Sequence, residues 1–425
     1  MKKILALLLV ALATLGLAGC KNGGHNQNST DLRVLNAVAD AEPLDVLVND
    51  DVKASAVPLY GTSGYVNFAS GSQDTKIRSS TTQAILGEQT IGYASGVRNT
   101  LLMYGRRTAL ATLLLPEDTA TPSSGKVRVR VVNLSADAGP VDVYLTTGDI
   151  STGGASVGSA SIGVVTNAAE VNGGSYKIIV TAAGTQDILF QSSATYSFAA
   201  GNDTTVVIMP ALGGKLVSVD VLEQGASGTS TFLANSQSRM RAVNGVIDGP
   251  VNFKVDGATV LSNVPFTGTS SYIPVASGSH TLAIDAANVP GTSIASASAS
   301  LAGARDYTVL SYGRISSPSI VALLDDNSLP AANFSKIRFV NALADGATVD
   351  VLVNFASQAA GIAPGKASSY YTVGSATNYT ISFTTPGGVT VVASLSGLEL
   401  VSQQVYTAYL FGTSANAQVK LVRDR

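Results

Sequence analysis

The sequence predicts an all-β protein of four tandem β-sandwich units that follow a signal peptide. Three observations support this prediction: a polar motif that recurs four times, short stretches that alternate apolar and polar residues, and no sustained helical stripe after the leader. The chain has 425 residues, of which 13% are charged and 42 are glycine. At about 100–200 residues per domain, this length accommodates several domains.

The first residues have the pattern of an export signal. Lys2 and Lys3 precede an almost unbroken apolar run from Ile4 to Leu17. This run is too short to span a bilayer, which takes about 20 residues. We therefore expect residues 1–19 to be a signal peptide.

The leader ends in Leu17-Ala18-Gly19-Cys20, which resembles the lipobox of bacterial lipoproteins. That resemblance implies cleavage before Cys20 and lipidation of its thiol, which would otherwise be an unpaired thiol in an exported chain. Lys21 stands at the position where lipoproteins retained in the inner membrane usually have Asp. The resemblance to lipoproteins without this Asp therefore suggests that the protein is sorted to the outer membrane. We expect a lipid-anchored protein of the bacterial cell envelope with a flexible tether over residues 20–31.

One polar motif occurs four times. Its arginines, at positions 33, 130, 241 and 338, lie 97, 111 and 97 residues apart. Each is followed by an Asn, an Asp and then a second Asp or Asn. The four copies are Arg33, Asn36, Asp40 and Asp45; Arg130, Asn133, Asp137 and Asp142; Arg241, Asn244, Asp248 and Asn252; and Arg338, Asn341, Asp345 and Asp350.

A second landmark closes each unit with a Thr and, four residues later, a large apolar residue. These stretches begin at Thr100, Thr205, Thr308 and Thr407. Units one and three also share an inner tyrosine, Tyr65 and Tyr272. We expect units at 32–116, 127–222, 239–325 and 336–425, separable from one another, with exposed linkers and the loosest joint between Met209 and Arg241.

Within each unit the apolar period is two, as in a strand with one buried face. The expected inward residues are Leu44, Val46 and Val48; Val141, Val143 and Leu145; Val251, Phe253 and Val255; and Val349, Val351 and Val353. Short strands in units of about 100 residues are typical of an immunoglobulin-like sandwich. The Trp and Cys pair of antibody domains are absent, so this likeness is architectural.

The motif, best preserved over residues 129–145, resembles domain of unknown function family 4397. This resemblance covers the four units and implies an exported, often lipidated, β-rich protein with tandem repeats. The family has no established catalytic residues, so none is carried over to this chain. Unit three departs from the pattern with Asn252 at the second Asp position.

The recurring polar residues have two interpretations. They could form an acidic calcium site, with Asp137 and Asp142 as ligands, but calcium needs six to eight oxygens and no dense acidic loop is present. The favoured interpretation is that Asn133 and Asp137 hydrogen-bond the backbone, with Arg130 as a partner of one carboxylate. Asp50-Asp51 and Asp325-Asp326 are predicted to be solvated loop charges.

Other candidate sites are weaker. His280 is the one histidine available for a Ser-His-Asp site, but Gln73 occupies its position in unit one, which favours a structural role. A group of tyrosines predicted to be exposed could form a glycan or protein contact surface, although strand-face packing is favoured. These are Tyr144, Tyr370, Tyr371 and Tyr409.

These observations favour a non-enzymatic structural or interaction module held to the membrane by Cys20. We expect no catalytic residues, no cofactor and no metal. The net charge of −2 gives no basic patch for nucleic acid. An envelope protein or a glycan is the expected partner, with a glycan- or peptidoglycan-binding lipoprotein as the alternative and a secreted hydrolase as the weakest one.

Overall fold

The computed structural model describes residues 28–117, 120–148, 154–225 and 228–425. These ranges contain 35 β-strands and one short 3-10 turn, Ala136–Ala138. The predicted all-β class is therefore confirmed. No helix in the described ranges is long and apolar enough to cross a membrane. Cys20 lies outside the described residues.

The strands form four successive groups, which we call repeats one to four. Repeat one contains β1 (Ser29–Asn36), β2 (Leu44–Val48), β3 (Asp51–Val57), β4 (Val66–Ala69), β5 (Gly71–Ser79), β6 (Ile85–Tyr93), β7 (Arg98–Arg106) and β8 (Ala109–Pro116). Repeat two contains β9 (Lys126–Asn133), β10 (Val141–Thr146), β11 (Ala155–Ala160), β12 (Ala169–Asn172), β13 (Gly174–Ala182), β14 (Ile188–Gln191), β15 (Tyr196–Phe198), β16 (Asp203–Pro210), β17 (Val217–Glu223) and β18 (Ser230–Leu233).

The other two repeats contain eight and nine strands in a similar order. Repeat three contains β19 (Gln237–Val246), β20 (Val251–Val255), β21 (Ala258–Val264), β22 (Ile273–Ala276), β23 (Gly278–Ala286), β24 (Ser293–Leu301), β25 (Asp306–Arg314) and β26 (Ser317–Asp325). Repeat four contains β27 (Phe334–Leu343), β28 (Val349–Val353), β29 (Ala356–Ile362), β30 (Lys366–Ala367), β31 (Tyr371–Gly374), β32 (Ala376–Thr384), β33 (Val391–Leu400), β34 (Val405–Thr413) and β35 (Asn416–Arg423).

Each repeat has two sheets. The first, which we call the motif sheet, pairs the first strand of the repeat in parallel with a later strand: β1 with β7, β9 with β16, β19 with β25, and β27 with β34. The second sheet is antiparallel, with the orders β3-β2-β5-β6, β11-β10-β13-β14, β21-β20-β23-β24 and β29-β28-β32-β33.

The space between the two sheets of each repeat is filled by its own apolar cluster. In repeat two, Val129 and Val131 of the motif sheet pack with Val141 and Val143 of the second sheet, all fully buried. All four predicted inward sets are buried. The alternation in the sequence therefore identified the core face correctly.

Two further apolar clusters lie between repeats. One contains Leu35 and Leu102 from repeat one together with Val132 and Val207 from repeat two. The other joins repeats three and four, with Phe411 among its buried residues. The motif sheets are therefore covered on both faces, by their own second sheet and by the motif sheet of the neighbouring repeat.

The interval from Met209 to Arg241, predicted to be the loosest joint, is instead structured over its described residues. It contains β17 and β18, which pair with each other. Asn235 is buried, and its amide donates hydrogen bonds to the carbonyls of Leu189 and Val217 at 3.0 and 3.1 Å. Asn235 therefore fixes this interval to strands β14 and β17 of repeat two.

Candidate functional site

The recurring arginine lies at the same place in every motif sheet. In each repeat it is opposite the recurring Thr of the parallel partner strand, which explains why the two sequence landmarks keep similar spacing. The arginine Nε donates to the threonine Oγ1 at 2.9–3.1 Å. The four pairs are Arg33 with Thr100, Arg130 with Thr205, Arg241 with Thr308, and Arg338 with Thr407.

The same arginines also reach into the neighbouring repeat. Arg33 donates to the carbonyl of Glu223 at 3.2 Å, and Arg130 donates to that of Pro116 at 2.9 Å. These carbonyls end strands β17 and β8, so repeats one and two exchange equivalent contacts. The motif arginine is therefore a residue of the contact between repeats.

Repeats three and four make this exchange with carboxylates. Arg241 forms an ion pair with Asp424 at 2.7 Å, and Arg338 contacts Asp325. Burial raises the pKa of Asp424, while the positive charges of Arg241 and Arg338 act in the opposite direction. The charges of the two buried arginines thus offset the desolvation penalty of burying two carboxylates.

Tyrosine rings cover these guanidinium groups. The Cζ of Arg33, Arg241 and Arg338 lies 5.0, 5.0 and 4.9 Å from the ring centres of Tyr65, Tyr272 and Tyr370. Such distances are within the range of cation–π attraction. The shared Tyr65 and Tyr272 were visible in the sequence, but nothing there linked them to the arginines.

Asp325, predicted to be a solvated loop charge, is buried and accepts from Arg338. That prediction was wrong because the covering surface comes from the next repeat, which an acidic pair in a linker does not reveal. Asp50 and Asp51 are exposed, as predicted.

The recurring asparagine ties two segments of its own repeat together. Asn133 donates to the carbonyls of Gly139 and Ala160 and accepts from the Ser135 amide. The predicted backbone role of Asn133 is confirmed. The equivalent residues Asn36, Asn244 and Asn341 also donate to backbone carbonyls and accept from the amide two residues on.

The first aspartate of the motif holds a distant turn in repeats one and four and pairs with arginine in repeats two and three. Asp40 accepts from the Arg107 amide and Asp345 from the Ser414 amide, both at 2.7 Å. Asp137, predicted to hydrogen-bond the backbone, instead forms ion pairs with Arg106 at 3.2 Å and with Arg425 of repeat four at 3.5 Å. Asp248 pairs with Arg314.

The second acidic position stabilises a β-bulge. Asp45, Asn252 and Asp350 accept hydrogen bonds from the amides of residues 56, 263 and 361 at 2.9, 2.8 and 2.7 Å. These three residues have φ of 48°, 54° and 69°, the left-handed conformation that occurs at β-bulges. Since only an acceptor oxygen is required, the Asn252 of unit three performs the same task as an aspartate.

These contacts bear on the calcium interpretation. The motif carboxylates point at N–H donors and arginines, which compete with a cation for the same oxygens. Among the described residues, no group of three or more His, Cys, Asp or Glu is placed to hold a metal ion.

His280 spans a strand junction in repeat three. Its Nδ1 lies 2.7 Å from the Asp256 carboxylate and its Nε2 lies 2.9 Å from the Ala276 carbonyl. Gln73 in repeat one makes the equivalent contact, donating to the Ala69 carbonyl at 2.9 Å. Both ring nitrogens of His280 face acceptors, so neither is placed to take a proton from a serine.

The four candidate tyrosines do not form an exposed platform. Tyr409 is fully buried between repeats three and four, which contradicts the prediction that it is exposed. The other three, Tyr144, Tyr370 and Tyr371, are partly buried. The sequence could not show that the outer face of the motif sheet is covered by a neighbour.

The family model for "Domain of unknown function (DUF4397)" matches residues 30–144, 238–346 and 335–425. The chain belongs to this family. All four copies of the Arg-Asn-Asp motif lie in the matched ranges. Residues 145–237 lie outside them, yet repeat two completes the same parallel pair as the other DUF4397 repeats, β9 with β16.

Other comparisons add little. No curated protein matches the sequence. One solved structure, the Bacillus anthracis TIE protein, is aligned over 93% of this chain and 68% of its own length, with 11% identity and a TM-score of 0.17. A TM-score of this size gives no support for a common fold.

Proposed function

We propose that this protein is a lipid-anchored lipoprotein of the bacterial envelope whose four immunoglobulin-like repeats form a non-enzymatic structural or interaction module. The observation that carries the proposal is the use of the recurring polar residues. In every repeat, the motif Arg, Asn and Asp make contacts within the chain. Because these residues hold the chain together, the motif supports a scaffold role.

The topology supports the immunoglobulin-like assignment. Each repeat has two sheets with a core between them, and its first strand pairs in parallel with a later one. Repeats of 97 residues between motif arginines, in units one and three, have the length that such a sandwich needs.

The hydrolase alternative has no support from His280, whose two nitrogens face a carboxylate and a carbonyl. General-base catalysis needs a free nitrogen within hydrogen-bond distance of the nucleophile. We therefore keep the non-enzymatic proposal.

The anchor is tested by two variants with different expected results. Cys20→Ser removes the thiol that lipidation needs, so the protein should stay unprocessed or be released from the membrane. Lys21→Asp keeps the thiol and introduces the retention residue, so the protein should stay lipidated but move to the inner membrane. Membrane fractionation and intact-mass measurement distinguish these results.

A wild-type protein whose intact mass contains no acyl chains would refute the anchor. An unchanged distribution of Lys21→Asp would refute only the assignment to the outer membrane. The scaffold role would be refuted if purified protein turned over a substrate and lost that turnover in His280→Gln without losing stability.

A further inference from the structure

A polar cavity of about 690 Å³ lies where residues of repeats two, three and four meet. Six of its 14 lining residues are Lys or Arg, whereas the whole chain has 26 among 425. The basic residues are Lys215, Arg239, Arg241, Lys420, Arg423 and Arg425. The cavity therefore concentrates positive charge in a chain whose net charge is −2.

Part of this charge is neutralised. Both oxygens of Asp306 accept from Arg239, at 2.8 and 2.5 Å. Arg241 pairs with Asp424, the one acidic side chain in the lining, and Arg425 pairs with Asp137.

Three cations of the lining keep their charge available. Lys420 donates to a neutral acceptor, the carbonyl of Thr267, at 2.7 Å. Lys215 and Arg423 are exposed and form no hydrogen bond or ion pair with another described residue through their side chains. They come from different repeats, two and four, and both line the cavity.

A residue of the lining also has a buried polar atom without a partner. Asn327, which lines the cavity, is 1% exposed, and its Nδ2 donates to Asp306 at 2.8 Å. Its Oδ1 has no hydrogen-bond partner, and neither has the Oγ1 of Thr269 in the same lining. Unsatisfied buried polar atoms are unfavourable, so a ligand hydroxyl would stabilise them.

The aromatic content of the lining argues against a nucleotide. Its tyrosine, Tyr272, has its ring occupied by Arg239 and Arg241, whose Cζ atoms lie 5.1 and 5.0 Å from the ring centre. A base would need a free ring on which to stack. Hydroxyls and an amide oxygen suit a sugar instead.

We propose that this cavity binds a phosphorylated sugar, either free or as the headgroup of an envelope glycolipid. Lys215 and Arg423 bind the phosphate, and Asn327 accepts a hydrogen bond from a sugar hydroxyl. The volume is within the range of about 300–1,000 Å³ that is usual for small-molecule sites and exceeds what one phosphate fills. This site is independent of the scaffold role, which stands if the site fails.

The test is calorimetric titration of the full chain with glucose 6-phosphate, glucose and inorganic phosphate. Glucose 6-phosphate should bind, and more weakly as salt is added, because the charges are exposed. Lys215→Met and Arg423→Met should each weaken binding about tenfold, the size of one charge-assisted hydrogen bond. Lys177→Met, on β13 outside the cavity lining, is the matched control and should bind as the wild type does.

Vesicles carrying a phosphorylated glycolipid identify the source of the ligand. Tighter binding to these vesicles than to glucose 6-phosphate supports the headgroup, and the reverse supports the free sugar. Equal binding of glucose refutes the phosphate contacts, and equal binding of inorganic phosphate refutes the sugar. The proposal also fails if neither phosphorylated probe binds, or if both cavity variants bind like Lys177→Met.

Discussion

Replacing Phe411 with Ala tests whether repeats three and four unfold as one unit. Phe411 on β34 is fully buried in the cluster between these repeats. Its ring centre lies 6.0 Å from that of Phe266 in repeat three and 5.6 Å from that of Tyr409. Phe411 does not belong to the sandwich core of repeat four, so the change leaves that core intact.

The expected loss is that of a buried ring. Phe→Ala at a fully buried site lowers the free energy of unfolding by about 3–5 kcal/mol. For a block of about 150–250 residues, each kcal/mol shifts the melting temperature by about 2–4 °C, so the shift should be roughly 6–20 °C. If the outer face of repeat four were solvated, the loss would be far smaller.

Hydrogen–deuterium exchange with mass spectrometry locates the effect. Amides of β25, in repeat three, should exchange faster in Phe411→Ala and also in Phe383→Ala, a fully buried change in the core of repeat four. Val389→Ala, at a side chain 83% exposed, is the control and should change nothing. Faster exchange in β34 with β25 unchanged would show that the repeats unfold independently, and would refute the coupling.

Three further predictions concern the polar contacts. Asn252→Ala, which leaves the amide of residue 263 without an acceptor, and Asp350→Ala, which leaves the amides of residues 361 and 387 without one, should each lower the free energy of unfolding by about 1 kcal/mol or more; an unchanged free energy of unfolding in either variant would contradict the bulge role. His280→Gln should leave the melting temperature unchanged, because Gln73 makes the same carbonyl contact in repeat one. A large drop in melting temperature would contradict the structural equivalence of the two residues. Burial raises the pKa of Asp220 above 3.8, against the hydrogen bond from Ser230. The folded state therefore favours the neutral carboxyl. The stability that this preference contributes is fully present below pH 3.8, the ordinary pKa, and is lost as the pH rises through the raised pKa. Asp220→Asn should then raise the melting temperature at neutral pH but not in acid; an equal gain at both pH values would argue against a buried charge.

The strands themselves could be predicted because their signal is local. Val349, Val351 and Val353 alternate with other residues, and this alternation alone identifies the buried face of β28. The pairing of β27 with β34 has no such signal. Arg338 and Thr407 are opposite each other across 69 residues of sequence, and only the recurrence of both landmarks hinted that they belong together.

Burial by a neighbour is what the sequence could not show. Asp325 follows an apolar run and precedes a second Asp, a pattern typical of a strand that ends in a solvated turn. Its position in the strand gives no information about Arg338, which belongs to the next repeat. The exposure predicted for Tyr409 was wrong for the same reason, since tyrosine is intermediate in its tendency to be buried and its identity does not reveal a covering neighbour.

The contact between paired repeats explains why the arginine recurs. In an isologous interface the same surface serves both partners, so each partner must carry the same contact residues. Arg241 of repeat three reaches Asp424 at the end of repeat four, and Arg338 of repeat four reaches Asp325 at the end of repeat three. Repeats one and two make the same exchange with backbone carbonyls at the ends of β17 and β8. A block of two repeats, once duplicated, would thus retain the arginine in every repeat, because losing it from one leaves an unpaired polar group in the other.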